Sequence, residues 1–102
     1  CKWYHDYRST SLQTLNMAEK IRIIIADDHN LFIDGLCLLL KEEEDMQVVG
    51  VANDGKELLD ILPSHDPDII LLDINMPKLN GLATINYIRR TIKQVGIIMI
   101  ST

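Results

Sequence analysis

The chain is short of cysteine, aromatics, long apolar runs and net positive charge, and each shortage removes a class of explanation. Two cysteines in 102 residues, Cys1 and Cys37, give no disulfide framework. Cys37 falls within a leucine-rich helical pattern, so it reads as a small core residue and not as a nucleophile; a reducing cytoplasm is the simpler setting. No apolar run reaches the roughly 18 residues of a membrane-spanning helix. Residues 1–16 lack the continuous apolar segment of a signal peptide. A formal charge of −5 argues against nucleic-acid binding through this segment's own field. Neither a GxGxxG nor a P-loop run is present, and the turn after the first strand pattern is acidic, which repels pyrophosphate.

What remains is enough for one domain, with 47% apolar residues to build a core. Residues 1–19 read as a poorly ordered N-terminal extension, with Trp3, Tyr4 and Tyr7 but few aliphatics, and Met17 as a natural start. The chain opens on Cys1 and stops just after a strong apolar run, so it reads as a piece of a longer protein. From Lys20 onward strands and helices alternate. Ile21–Ala26 is a β-branched run, the first strand. In 29–43, Phe32, Leu36, Leu39 and Leu40 mark the apolar face of a helix, and the acids Glu42 to Asp45 oppose its dipole and end it. Residues 47–52 are a second strand, and 56–62 a short helix stopped by Pro63. Residues 69–72 are a third strand. Leu82, Ile85, Ile88 and Ile92 recur at helical spacing within 81–93, and Gly96–Ile100 is a fourth strand. Such alternation predicts a doubly wound α/β fold: a parallel sheet with helices on both faces and right-handed crossovers. The nearly pure apolar character of the third and fourth strands predicts cover on both sides.

Carboxylates stand at the strand ends. Asp27 and Asp28 follow the first strand, Asp73 follows the third, and Ser101 follows the fourth. In a parallel α/β sheet these ends share one edge, where ligands bind. If the first and third strands are neighbours, about 4.8 Å apart, Asp28 and Asp73 can reach one small ion. Carboxylates this close repel one another unless a cation sits among them. Hard oxygen ligands suit Mg2+. A carboxylate is also a nucleophile towards a phosphoryl group, giving an aspartyl phosphate, and the metal would shield it from the phosphate's charge. Asp27 or Asp28 could equally cap the first helix, which is compatible with metal binding. Asp73 could be a plain loop acid and Ser101 an ordinary strand-end hydroxyl. His29 reads as a helix-start residue, and His5 and His65 have no partners at metal-binding spacing. Pro77 and Gly81 have backbone duties, and Arg89-Arg90 reads as a solvated helix face.

The segments IIIADDH at 23–29, LLDINMPKLNG at 71–81 and IIMIS at 97–101 together resemble the receiver domain of bacterial two-component response regulators. The resemblance covers about 20–102, and ADDHNLFIDGLCLLL at 26–40 brings it closest to the LuxR/FixJ/NarL-type subfamily. It implies a flavodoxin-like sheet of strand order 2-1-3-4, with strand five and its helices missing from this chain. It implies Asp73 as phospho-acceptor and Ser101 as the switch hydroxyl. Asp28, Asp73 and the backbone carbonyl of Asn75 would be Mg2+ ligands, with Asp27 acting mainly through water. A sensor histidine kinase would be the phosphoryl donor. DNA would be met only through a missing C-terminal helix-turn-helix domain that regulates transcription, and phosphorylation could bring about a homodimer. No membrane partner and no enzymatic turnover beyond self-phosphorylation and dephosphorylation at Asp73 are implied. Thr102 falls where the family has a small residue. Two other readings stand beside this one. An aspartate-nucleophile phosphohydrolase of haloacid-dehalogenase type wants a second Asp where this chain has Asn75. A pseudo-receiver would never take phosphate, against which the intact acid set argues.

Overall fold

The computed structural model describes residues 20–76, 80–92 and 94–101. The extension expected at 1–19, and Pro77 and Thr102, lie outside them. Strands β1 (Ile21–Ala26), β2 (Met46–Ala52), β3 (Ile69–Asp73) and β4 (Gly96–Ile100) alternate with helices α1 (Asn30–Lys41), α2 (Gly55–His65) and α3 (Gly81–Thr91). The strands form one parallel sheet in the order β2-β1-β3-β4. This is the doubly wound, flavodoxin-like order that the resemblance implies, and its switch point lies between β1 and β3.

Successive strand side chains point to opposite faces, and here each face has its own core. Ile23, Ile25 and Val48 pack with Ile33 and Cys37 of α1. Ile24, Ala26, Ile70 and Leu72 pack with Leu58 and Leu62 of α2 and Ile88 of α3. A bulge in β2 keeps this alternation in step with β1. The register runs Ile23 to Val48 and then Ile24 to Gly50, so Val49 is the extra residue. Val49 and Gly50 therefore fall on the same side, and Val51 and Ala52 come back into phase opposite Ile25 and Ala26. Gly50 suits this close approach: a Cβ there would stand 3.2 Å from the His65 ring and 3.3 Å from Ile61, both on α2, and those side chains would have to give by a few tenths of an ångström.

Four local expectations are corrected. Helix α2 does not stop at Pro63 but runs through it to His65. Proline removes one helical hydrogen bond, yet the last turn finds other donors. Ser64 Oγ donates to the Ile61 carbonyl at 3.2 Å. Arg22 of β1 donates from Nη2 to the His65 carbonyl at 2.6 Å and from Nε to the Asp66 carbonyl at 3.1 Å. The helix actually ends at Asp66, which takes a left-handed φ of 47°. On α1 the inward face is Ile33, Leu36, Cys37 and Leu40, while Leu39 is exposed and Phe32 lies at the margin. On α3 Leu82 faces outward, and Thr84 and Ile88 turn in. Strand β4, expected to be covered on both sides, leaves Ile98 and Met99 exposed; it stands at the edge of the sheet, with β3 its one neighbour among the described residues.

Leu58 is wholly buried whereas Leu31 is 86% exposed. Leu58→Ala should lower the unfolding free energy by about 2–5 kcal/mol through lost burial and a residual cavity. Leu31→Ala should change it by less than about 0.5 kcal/mol. Urea unfolding curves of the two variants check the contrast.

Candidate metal centre

The site follows from strand parity. Ala26 pairs with Leu72, so the next residues along, Asp27 and Asp73, stand side by side. Both continue the alternation of Ile23, Ile25 and of Ile69, Leu71, so their side chains share one face at the sheet edge. Both are fully buried. Two main-chain bonds seal the edge around them: Asp27 N–H donates to the Ala52 carbonyl at 3.0 Å, and Ile74 N–H to the Ile100 carbonyl at 3.0 Å.

The carboxylates are oriented by local backbone donors. His29 N–H donates to Asp27 Oδ1 at 2.8 Å, and Asn75 N–H donates to Asp73 Oδ1 at 2.9 Å. Asp28 is part-exposed beside them. The cap of α1 is His29, with no side-chain capping bond, so neither Asp27 nor Asp28 is the N-cap. Asn75 Nδ2 donates to Ser101 Oγ at 3.3 Å, which links the loop after β3 to the end of β4. Asn53, which the sequence did not single out, donates from Nδ2 to the Asp27 carbonyl at 3.3 Å and to Asn30 Oδ1 at 3.0 Å. Its neighbour Asp54 caps α2 by accepting from Glu57 N–H at 2.8 Å. Glu57 reaches back to Asn53 N–H at 3.2 Å, a capping box displaced by one residue.

His29 is the second residue whose part in the site sequence reasoning missed. Its Nδ1 lies 3.0 Å from Asp27 Oδ1, 3.0 Å from Asp28 Oδ1 and 3.9 Å from Asp73 Oδ2. The Asp27 hydrogen bond first, and the Asp28 charge next, raise its pKa above the ordinary histidine value of 6.5. The triplet Asp-Asp-His was legible as letters, but the direction of the ring was not. Arg89 and Arg90 lie on an exposed face as expected, and Arg89 also donates to the Val95 carbonyl at 2.7 Å.

One donor atom from each of Asp27, Asp28, His29 and Asp73 lies within 4.8 Å of the others. Asp27 Oδ2 and Asp28 Oδ1 are buried without hydrogen-bond partners. Asp28 Oδ1 is as near to His29 Nδ1 as Asp27 Oδ1 is, but a single ring N–H cannot point at both. Buried carboxylate oxygens without partners are costly, and a divalent cation would satisfy them. The donor set therefore fits a metal ion.

Comparison with known proteins identifies the family. The model of the response regulator receiver domain matches residues 23–102. The chain is 44% identical over 72 residues to the transcriptional regulatory protein DegU of Brevibacillus brevis, covering 70% of this chain and 30% of that one. It is 42% identical over 82 residues to a protein-glutamate methylesterase/protein-glutamine glutaminase of Trichodesmium erythraeum, covering 80% of this chain and 23% of that protein. The isolated receiver domain of RcsB from Salmonella enterica serovar Typhimurium, solved with the phosphomimetic BeF3-, superposes with a TM-score of 0.75 at 32% identity, covering 80% of this chain and 62% of that one. The chain thus spans less than a third of the length of these two curated relatives. It belongs to the response regulator receiver domain family and is related to its LuxR/NarL-type regulators.

Without a metal ion, the His29 imidazole should titrate above 6.5, followed by its ring-proton NMR shifts, and Asp28→Asn should lower that midpoint. Since the folded value exceeds the unfolded one, the imidazolium's contribution to stability is complete below about pH 6.5 and fades as pH rises through the folded value. A midpoint at or below the ordinary value would contradict the contact geometry.

Proposed function

We propose that this chain is the phospho-acceptor part of a response regulator, taking a phosphoryl group from a sensor histidine kinase onto Asp73. The carrying observation is a buried carboxylate, Asp73, fixed at the β1/β3 switch point beside two further acids, each with one buried oxygen that lacks a hydrogen-bond partner. Asn75 N–H holds Asp73 Oδ1 and so fixes the plane of the carboxylate. A carboxylate oxygen of Asp73 forms the new P–O bond as the P–N bond to the donor histidine breaks. That electron pair stays on the departing imidazole, which takes up a proton. Asp28, Asp73 and the Asn75 carbonyl would hold Mg2+, with Asp27 supporting it mainly through water. When bound, Mg2+ offsets the negative charge that meets as carboxylate and phosphoryl group approach.

Ser101 reports the change in this reading. In this structure its hydroxyl accepts from Asn75. A phosphoryl group on Asp73 offers stronger, charged acceptors, so the hydroxyl turns in and the β4 end shifts between two pre-existing arrangements. The output is transcription regulation through a helix-turn-helix DNA-binding domain outside this chain, with a homodimer formed on phosphorylation, in the cytoplasm. The relative named as a transcriptional regulatory protein supports this, and the relative named as a methylesterase/glutaminase makes an enzymatic output the alternative. The phosphohydrolase reading is weaker, because position 75 offers an amide where a second carboxylate is needed.

Incubated with Mg2+ and acetyl phosphate, the native protein should gain the mass of one phosphoryl group and Asp73→Asn none. A label on another residue, or equal labelling of the variant, would refute the assignment.

A further inference from the structure

We propose that His29 is a nitrogen ligand of this metal centre, making it a site that favours first-row transition dications such as Mn2+, Co2+ and Ni2+ over Mg2+. The proposal rests on the reading of the acid cluster as a cation site and adds a donor to it. Donor atoms about 2.1 Å from an octahedral ion stand about 3.0 Å apart when adjacent and about 4.2 Å apart when opposite. His29 Nδ1 is 3.0 Å from Asp28 Oδ1, the spacing of adjacent ligands, and its 3.0 Å hydrogen bond with Asp27 Oδ1 holds the ring on this side. Its 3.9 Å to Asp73 Oδ2 lies near the spacing of opposite ones. The unpartnered Oδ2 of the fully buried Asp27 points independently to a cation in the same place.

The backbone prepares the ring for this duty. His29 occupies the N-cap of α1 in extended conformation, yet its side chain makes no capping bond. Its own N–H is anchored on Asp27 Oδ1. The side chain is 57% exposed, so water can serve the outer ring nitrogen while Nδ1 faces the acids. Imidazole nitrogen suits transition dications, whereas Mg2+ prefers oxygen and retains its waters. Three carboxylates alone would serve Mg2+; a nitrogen among them changes the order of preference.

The test uses the whole chain, titrated by calorimetry with MgCl2, MnCl2 and NiCl2, as native protein and as His29→Ala and His29→Gln. Native protein should bind Ni2+ more tightly than Mg2+, and both variants should lose at least about tenfold in the Ni2+/Mg2+ affinity ratio, the scale on which metal sites respond to ligand-shell changes. Pulsed EPR of the Mn2+-loaded native protein should show nitrogen-14 coupling, absent from both variants. Unchanged ratios, or no nitrogen coupling in native protein that binds Mn2+, would overturn the role of His29 and leave the oxygen site standing. If native protein binds none of the three ions, the metal centre itself fails, and this proposal with it.

Discussion

The β1–β3 register is the constraint on which the site depends. Pairing Ala26 with Leu72 brings Asp27 next to Asp73 on one face. A slip of one residue would turn one of them to the opposite side of the sheet and dissolve the cluster. The register is secured by two apolar layers that alternate strictly along both strands. It is tied at the far end as well, where Arg22 N–H donates to Asp68 Oδ2 and Asp68 N–H to the Arg22 carbonyl, each at 2.8 Å. Core packing and site geometry are thus one property of these strands.

Burial gives the site its chemical character. Two carboxylates with no exposed surface, and a third beside them, crowd negative charge where water is scarce. The fold supplies partial relief through the Asn75 and His29 backbone donors and the His29 ring. What it leaves unsatisfied are the two oxygens of Asp27 and Asp28. That residual deficit gives a cation a reason to bind, and a bound cation would let an anionic phosphoryl group approach.

Much of this was legible in the sequence. Short β-branched runs separated by helical spacing gave the bounds of β1 and β4 and the parallel architecture, since each run is bounded by acids, glycine or turn residues. Acids ending two apolar strands pointed to the edge where they meet. Features set by tertiary contact were not legible. The β2 bulge depends on matching β1, and nothing in Gln47–Val51 marks Val49 as the extra residue. Pro63 looked like a helix stop because Arg22, distant in sequence, caps the turn beyond it. On α1 the reading placed Leu36, Cys37 and Leu40 correctly but also turned Phe32 and Leu39 inward, since Leu39 and Leu40 are alike in type and only packing separates them. The His29 ring and the Asn53 side chain contribute by direction, which residue identity does not encode.

The central claim is that three strand-end carboxylates together hold one divalent cation. Its most direct test is a Mg2+ titration followed by amide NMR spectra. The account predicts saturable one-site shifts centred on Asp27, Asp28, His29, Asp73 and Asn75, abolished by Asp28→Asn. Shifts that fail to saturate, or that centre on the solvated acids Glu42 to Asp45, would contradict it.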